Sequence, residues 1–145
     1  DYFMESTFAK QIALIESGYQ KPIIYVGNLD TLRTISDVRD AVKAYCLLVT
    51  TKPKFGEAYN IGGNYTATAK EILNFLIKQS FIKKIKIQVD KNRLRPIDAD
   101  LQIPNSNKFK KHTKWKPEIK FEKTMIDLLN YWRARIKKNG PIINR

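Results

Sequence analysis

Apolar positions along the chain recur with helical spacing in four stretches and with strand spacing in three. Phe8, Ile12 and Ile15 share one helical face, with Ser6 or Thr7 as the expected cap and Gly18 as the stop. Residues 22–26 form a short, nearly continuous apolar run ending in Gly27-Asn28, the pattern of a strand covered on both faces. Residues 28–34 read as a loop. Ser36-Asp37 then opens a helix whose Val38, Ala41, Val42, Tyr45 and Val49 are expected to face the core. Residues 57–61, running into Gly62-Gly63, read as a strand and tight turn. Thr68 and Glu71 have capping-box spacing ahead of a helix with Ile72, Leu73, Leu76 and Ile77 inward. Ile85, Ile87 and Val89 alternate with Lys86 and Gln88, which predicts a strand with one wet and one buried face. A polar, basic loop over 105–116 precedes a last amphipathic helix, 121–136, with Met125, Leu128, Leu129, Trp132 and Ile136 inward and Gly140-Pro141 as its end.

This alternation predicts an α/β fold, with residues 1–145 as a single domain. The runs at 23–26 and 58–61 look made for a sheet with further strands. Composition fits a globular protein: 43% of residues are apolar and 28% charged, and no apolar run approaches the roughly 20 residues of a membrane span. Cys46, the one cysteine, lies on a helical apolar pattern and reads as buried filler; with a single His, His112, no zinc site of usual ligand count is expected. A chain without a disulfide suits a reducing compartment, and a cytoplasmic location is the expectation. Asn64-Tyr65-Thr66 matches a glycosylation acceptor and is read as chance. The chain opens on Asp1 without a charged-then-apolar leader, and a preceding segment is expected.

Charge changes the picture. The formal net charge is +13, and residues 81–123 hold 13 Lys or Arg against five Asp or Glu. An anionic partner is implied, be it nucleotide, nucleic acid or acidic membrane, beside the plain alternative of a lysine-rich solvated surface. Within that region, residues 93–100 bring Arg93, Arg95, Pro96, Asp98 and Asp100 together. An Arg fork matches phosphate oxygens, Pro96 stiffens the backbone beside Arg95, and a carboxylate three residues on can accept from sugar hydroxyls. That set suits a sugar nucleotide; a basic loop that merely stops the preceding strand is the other reading. Gly62-Gly63 could admit a phosphate beside the backbone, although a third fingerprint glycine and a Gly-Lys-Ser/Thr are both missing.

Five segments fall in one order: residues 27–33, with Gly27-Asn28-Leu29 and Arg33; Asp37-Val38-Arg39-Asp40; residues 57–63; Arg95-Pro96-Ile97-Asp98; and Lys108 with Trp115-Lys116-Pro117 and residues 127–133. Together they resemble the C-terminal half of an extended short-chain dehydrogenase/reductase acting on nucleotide sugars, a Rossmann-like fold. The closest look is to GDP-mannose 4,6-dehydratases and GDP-6-deoxy-4-keto-mannose reductases, over residues 3–136. The resemblance implies that Arg33 and Arg95 point at the diphosphate, that Asp98 faces the ribose hydroxyls and that Asn28 lies near the nucleotide. It implies NAD or NADP in the full-length enzyme, held by an N-terminal half with the glycine-rich loop and a catalytic Tyr-x-x-x-Lys. No Tyr in this chain is followed four residues on by Lys, so no catalytic residue is assigned.

The partners implied are a nucleotide-diphosphate sugar, GDP-linked, the N-terminal half and a second copy in a homo-oligomer, with no membrane. Three departures, Arg33-Thr34-Ile35 for Arg-Asp-Trp, Glu5-Ser6-Thr7 for Thr-Arg-Lys and Pro104-Asn105 for Gly-Asp, leave a reductase or epimerase of the same superfamily open. A basic nucleic-acid-binding module is the reading from another class. The chain has neither a recognition motif nor an aromatic-rich basic strand to support it.

Overall fold

A computed structural model describes residues 3–52, 54–94 and 101–141. Its elements run α1 (Met4–Glu16), β1 (Ile23–Val26), β2 (Leu32–Ile35), α2 (Val38–Thr50), β3 (Tyr65–Thr68), α3 (Ala69–Lys78), β4 (Lys86–Val89), β5 (Leu101–Gln102), α4 (Asn107–Thr113) and α5 (Phe121–Asn139), with a 3-10 turn at Lys91–Arg93. The backbone divides into two compact units, residues 1–31, 68–100 and 125–145 in the first and 32–67 and 101–124 in the second.

In the first unit α1 packs on α3 and on β1. Phe8, Ile12, Ile24, Val26, Ile72, Leu73, Leu76, Met125, Leu129, Trp132 and Ile136 are buried there, as the helical and strand periods of the sequence require. α1 starts three residues earlier than a cap at Ser6 would place it. Phe3 is the N-cap without a side-chain bond, while the Thr7 hydroxyl donates back to the Phe3 carbonyl and Ser6 accepts from the Trp132 indole. α3 has the expected capping box: the Glu71 carboxylate accepts from the Thr68 amide at 2.7 Å and the Thr68 hydroxyl from the Glu71 amide.

β1 and β4 pair in parallel, Ile23 opposite Lys86 through Val26 opposite Val89. Only Ile24 and Val26 of β1 are buried, so one face is covered and not both, and all four residues of β4 are exposed instead of alternating. Nor does β1 wait for a further strand at its middle. The buried Gln11 side chain accepts from the Tyr25 amide at 2.8 Å and donates to the Tyr25 carbonyl at 3.0 Å, standing in for a neighbouring strand.

The second unit holds most of a three-stranded sheet in the order β3-β2-β5. Two of its strands depart from expectation: residues 32–35 are a strand, not loop, and residues 57–61 are irregular, the strand coming after the glycines as β3. The basic stretch after residue 105 contains a helix, α4, ended by Lys114 in the left-handed conformation. The core here is Ala44, Phe109 and Trp115, with Leu47, Leu48, Tyr59 and Ile61 packed against it.

α2 is rotated from its expected face. Val38, Val42, Tyr45 and Val49 are exposed, and so is Cys46, while Asp40 and Ala44 point inward. The reason is Asp40, which is fully buried. Its Oδ2 accepts from the amides of Glu118 and Ile119 at 3.1 and 2.9 Å, and its carbonyl accepts from the Trp115 indole at 3.1 Å. These bonds tie α2 to residues 115–119 in this orientation. No helix among the described residues is long and apolar enough to cross a membrane.

Candidate functional site

Arg33 is the candidate whose surroundings are best described, and it lies in the second unit. It sits on β2, beside β5 in parallel register, with Leu32 opposite Leu101 and Arg33 opposite Gln102. Paired residues of neighbouring strands project to the same face, so an arginine and a carboxamide stand side by side. A cavity of about 460 Å³ opens there, lined by Arg33, Thr34, Asn60, Gln102, Ile103 and Pro104. Its size is that of a small-molecule site, and Arg33 is the charged group among those six residues. One guanidinium nitrogen donates to the Leu32 carbonyl at 3.0 Å, which orients the fork. A guanidinium keeps its charge at any physiological pH, so this wall favours an anion.

The cavity wall is held by contacts that a sequence reading does not reveal. Asn60 sits on the irregular stretch after Tyr59, and that stretch is tied down from α4. The Lys108 ammonium donates to the Glu57 carboxylate and, at 2.9 Å, to the Ala58 carbonyl, and it lies 4.9 Å from the Tyr59 ring centroid. Lys108 also holds the Glu57 carboxyl below its usual range. Tyr59 meets Phe109 edge-on, with centroids 5.8 Å apart. The Thr34 and Thr66 hydroxyls share a hydrogen bond of 3.1 Å between β2 and β3.

Gly62 and Gly63 serve this wall rather than a phosphate. A Cβ on Gly62 would meet Pro104 Cγ at 2.4 Å, and one on Gly63 would meet the Ile35 carbonyl oxygen at 1.6 Å. Glycine is required at both because the chain packs on itself, Gly62 seating cavity-lining Pro104 and Gly63 passing over the end of β2. The turn is thus filled by protein. It does not fit a dinucleotide pyrophosphate.

At the start of α2, Asp37 caps the helix by accepting from the Arg39 amide at 2.9 Å, and it binds the Arg39 guanidinium at 2.8 and 2.7 Å. The Thr124 hydroxyl donates to Oδ2, which the guanidinium also binds, at 2.7 Å. The Arg39 bond above all, with Thr124 and the Arg39 amide, holds the Asp37 carboxyl far below the usual carboxylate range, against the opposing effect of burial. Asp37 and Arg39 are therefore committed to each other.

Asn28 belongs to the first unit. It is exposed, and its Oδ1 accepts from the Asp30 amide at 3.0 Å, so its visible role is a side-chain turn ahead of Thr31. Arg95 and Asp98 lie outside the described residues, and the chain passes from them into β5. Thr34, Asn60, Gln102, Ile103 and Pro104 were not singled out as site residues in the sequence. Their one signal is the placement of Leu101-Gln102-Ile103 directly after the Arg-Pro motif.

Comparison with known proteins places these features. A family model for GDP-mannose 4,6 dehydratase matches residues 1–128. GDP-6-deoxy-D-mannose reductase of Pseudomonas aeruginosa is 26% identical over 140 residues, which is 95% of this chain and 45% of that protein. The solved structure of RMD from Pseudomonas aeruginosa complexed with NADPH superposes with a TM-score of 0.81 at 27% identity, over 93% of this chain and 44% of that one. UDP-glucuronic acid 4-epimerase of Bacillus cereus, solved with UDP-glucuronic acid and NAD, gives a TM-score of 0.75 at 18% identity, a likeness of fold covering 89% of this chain and 40% of that one. The chain spans less than half the length of each of these proteins. The α/β fold is that of the extended short-chain dehydrogenase/reductases, as the motifs led us to expect.

Proposed function

The chain belongs to the GDP-mannose 4,6-dehydratase family, and on that premise we propose that it is the nucleotide-sugar-binding part of an NAD(P)-dependent dehydratase converting a GDP-sugar to its 4-keto-6-deoxy form. The observation that carries this reading is the cavity beside β2 and β5, with the Arg33 fork on its wall and the Arg-Pro motif leading into β5. In this reading Arg33 and Arg95 each take oxygens of the diphosphate, Asp98 accepts from the ribose hydroxyls, and Asn28 lies close to the nucleotide. Charge-assisted, two-pronged contacts of this kind give both affinity and orientation.

The chemistry belongs elsewhere. A nicotinamide would exchange hydride with the sugar and a tyrosine would move the proton, and both come from a cofactor-binding half that this chain does not supply. What these residues contribute is position: they hold the nucleotide end so that the sugar is presented to the reacting groups. A second reading, a reductase of the same superfamily, is favoured by the likeness to GDP-6-deoxy-D-mannose reductase and to RMD. We place the working enzyme in the cytoplasm.

The test is incubation of the 145-residue chain with GDP-mannose and NAD(P), followed by mass analysis of the nucleotide sugar. Binding without turnover is expected. Formation of a 4-keto-6-deoxy product by the chain alone would overturn the assignment of the chemistry to another half, and failure to bind any nucleotide diphosphate would overturn the reading as a whole.

A further inference from the structure

The stretch 57–61 carries Asn60 to the cavity wall, yet it belongs to no strand among the described residues, so no ladder sets which way its side chains turn. Two anchors set it instead. Downstream, Gly62 packs so closely on Pro104 that a Cβ would stand 2.4 Å from Pro104 Cγ. Upstream, the Lys108 ammonium of α4 meets three successive residues: the Glu57 carboxylate, the Ala58 carbonyl at 2.9 Å and the Tyr59 ring at 4.9 Å from its centroid. Tyr59 and Ile61 pack against the core of Ala44, Phe109 and Trp115, and Asn60 between them is exposed at the cavity. Asn60 faces the cavity because its neighbours are held the other way.

We propose that Lys108 is a positioning residue for this cavity, acting on the ligand through Asn60, which makes a hydrogen bond to it. The proposal rests on the reading of the cavity as a nucleotide-diphosphate site. Asn60 adds to the Arg33 wall what a guanidinium lacks, since a carboxamide both donates and accepts. Its side chain makes no hydrogen bond among the described residues, so its donors and acceptor are left for a ligand.

Magnitudes separate this role from a contribution to stability. The Lys108 and Glu57 side chains are 53 and 44% exposed, and an ion pair this open adds little to folding free energy. The same three contacts still fix a direction, because they hold the chain at the residues just before Asn60 while Gly62 holds it just after. A side chain placed to within a fraction of an ångström binds well, and one free to turn away must be ordered again by the ligand. Loss of Lys108 should therefore appear in affinity more than in melting.

The experiment is calorimetric titration of GDP into the 145-residue chain and its variants. Asn60→Ala removes one neutral hydrogen bond and should weaken binding roughly threefold to tenfold. Lys108→Met should weaken it by a similar factor. Because Lys108 acts through Asn60, the double variant should bind within about twofold of Asn60→Ala alone, whereas independent effects would multiply. Lys108→Arg keeps the charge, the donors and a group that stacks on Tyr59, and should restore binding to within about twofold of wild type. Lys111→Met removes the same charge from the same helix, at an exposed position, and should change affinity less than about twofold. The melting temperature of Lys108→Met should fall by no more than about 4 °C.

A second measurement reads Asn60 itself. In an isotope-labelled chain, the Asn60 side-chain amide resonances should shift on saturation with GDP in wild type and in Lys108→Arg, and should stay in place in Lys108→Met. Full affinity in Lys108→Met, multiplied losses in the double variant, no rescue by Lys108→Arg, or an equal loss in Lys111→Met would each overturn the proposal. GDP that fails to bind wild type, or that binds Arg33→Ala equally well, would overturn the nucleotide reading and the proposal with it. GDP bound through Arg33 but indifferent to Lys108 would overturn the proposal alone.

Discussion

Removing the Asp40 carboxylate should loosen the second unit by an amount that its contacts let us work out. Oδ2 accepts two backbone amides, from Glu118 and Ile119, while Oδ1 is buried without a hydrogen-bond partner. Hydrogen bonds to a charged acceptor are worth about 1.5–3 kcal/mol each, so two at the low end give about 3 kcal/mol. Against this, Asp40→Ala removes a buried charge with one unsatisfied oxygen, relief of about 1 kcal/mol or somewhat more. Glu118 is also exposed, so its amide can return to water. The net expected loss is about 2 kcal/mol, a large share of a typical total of about 5–15 kcal/mol. Asp40→Asn keeps one acceptor for both amides and should lose about half as much. The assay is urea unfolding followed by Trp115 fluorescence in a Trp132→Phe background, since Trp115 bonds directly to the Asp40 carbonyl. A loss under about 0.5 kcal/mol for Asp40→Ala, the level of an ordinary surface substitution, would refute this account of the α2 orientation.

Gly63→Ala should destabilise the second unit by about 3 kcal/mol or more, because its Cβ would coincide with the Ile35 carbonyl, and should weaken nucleotide binding with it; thermal melting with and without GDP reads both. Asp37 has a folded pKa below its unfolded value, so its contribution is fully present above about pH 4 and is lost as pH falls below that. Acid unfolding followed by Trp115 fluorescence should accordingly be shallower for Asp37→Asn than for wild type between about pH 4 and 2. Asp98→Ala should weaken GDP more than deoxy-GDP in parallel titrations, and equal losses for both nucleotides would assign Asp98 to a structural role.

The first unit was legible in the sequence because its elements bury continuous apolar faces: Phe8, Ile12 and Ile15 on α1, and Ile72, Leu73 and Leu76 on α3, lie where periodicity puts them. The second unit was misread wherever polar contacts decide the outcome. Four apolar side chains outvote Asp40 in any periodicity count, yet a buried carboxylate holding two amides turns α2 the other way. Residues 57–61 look like a strand, but Lys108, fifty residues on, pins them as an irregular segment, and no local pattern carries that information. Arg33 could be singled out from its motif, whereas Asn60 and Gln102 reach the cavity only through the pairing of β2 with β5 and the Gly62–Pro104 contact.

The central claim is a two-arginine clamp on a nucleotide diphosphate, and calorimetric titration of GDP into wild type, Arg33→Ala and Arg95→Ala tests it most directly. Loss of one charge-assisted contact should cost about 1.5–3 kcal/mol, so each variant should bind GDP roughly tenfold to a hundredfold more weakly. Both should lose less for GMP, which presents one phosphate. Unchanged GDP affinity in both variants would contradict the account.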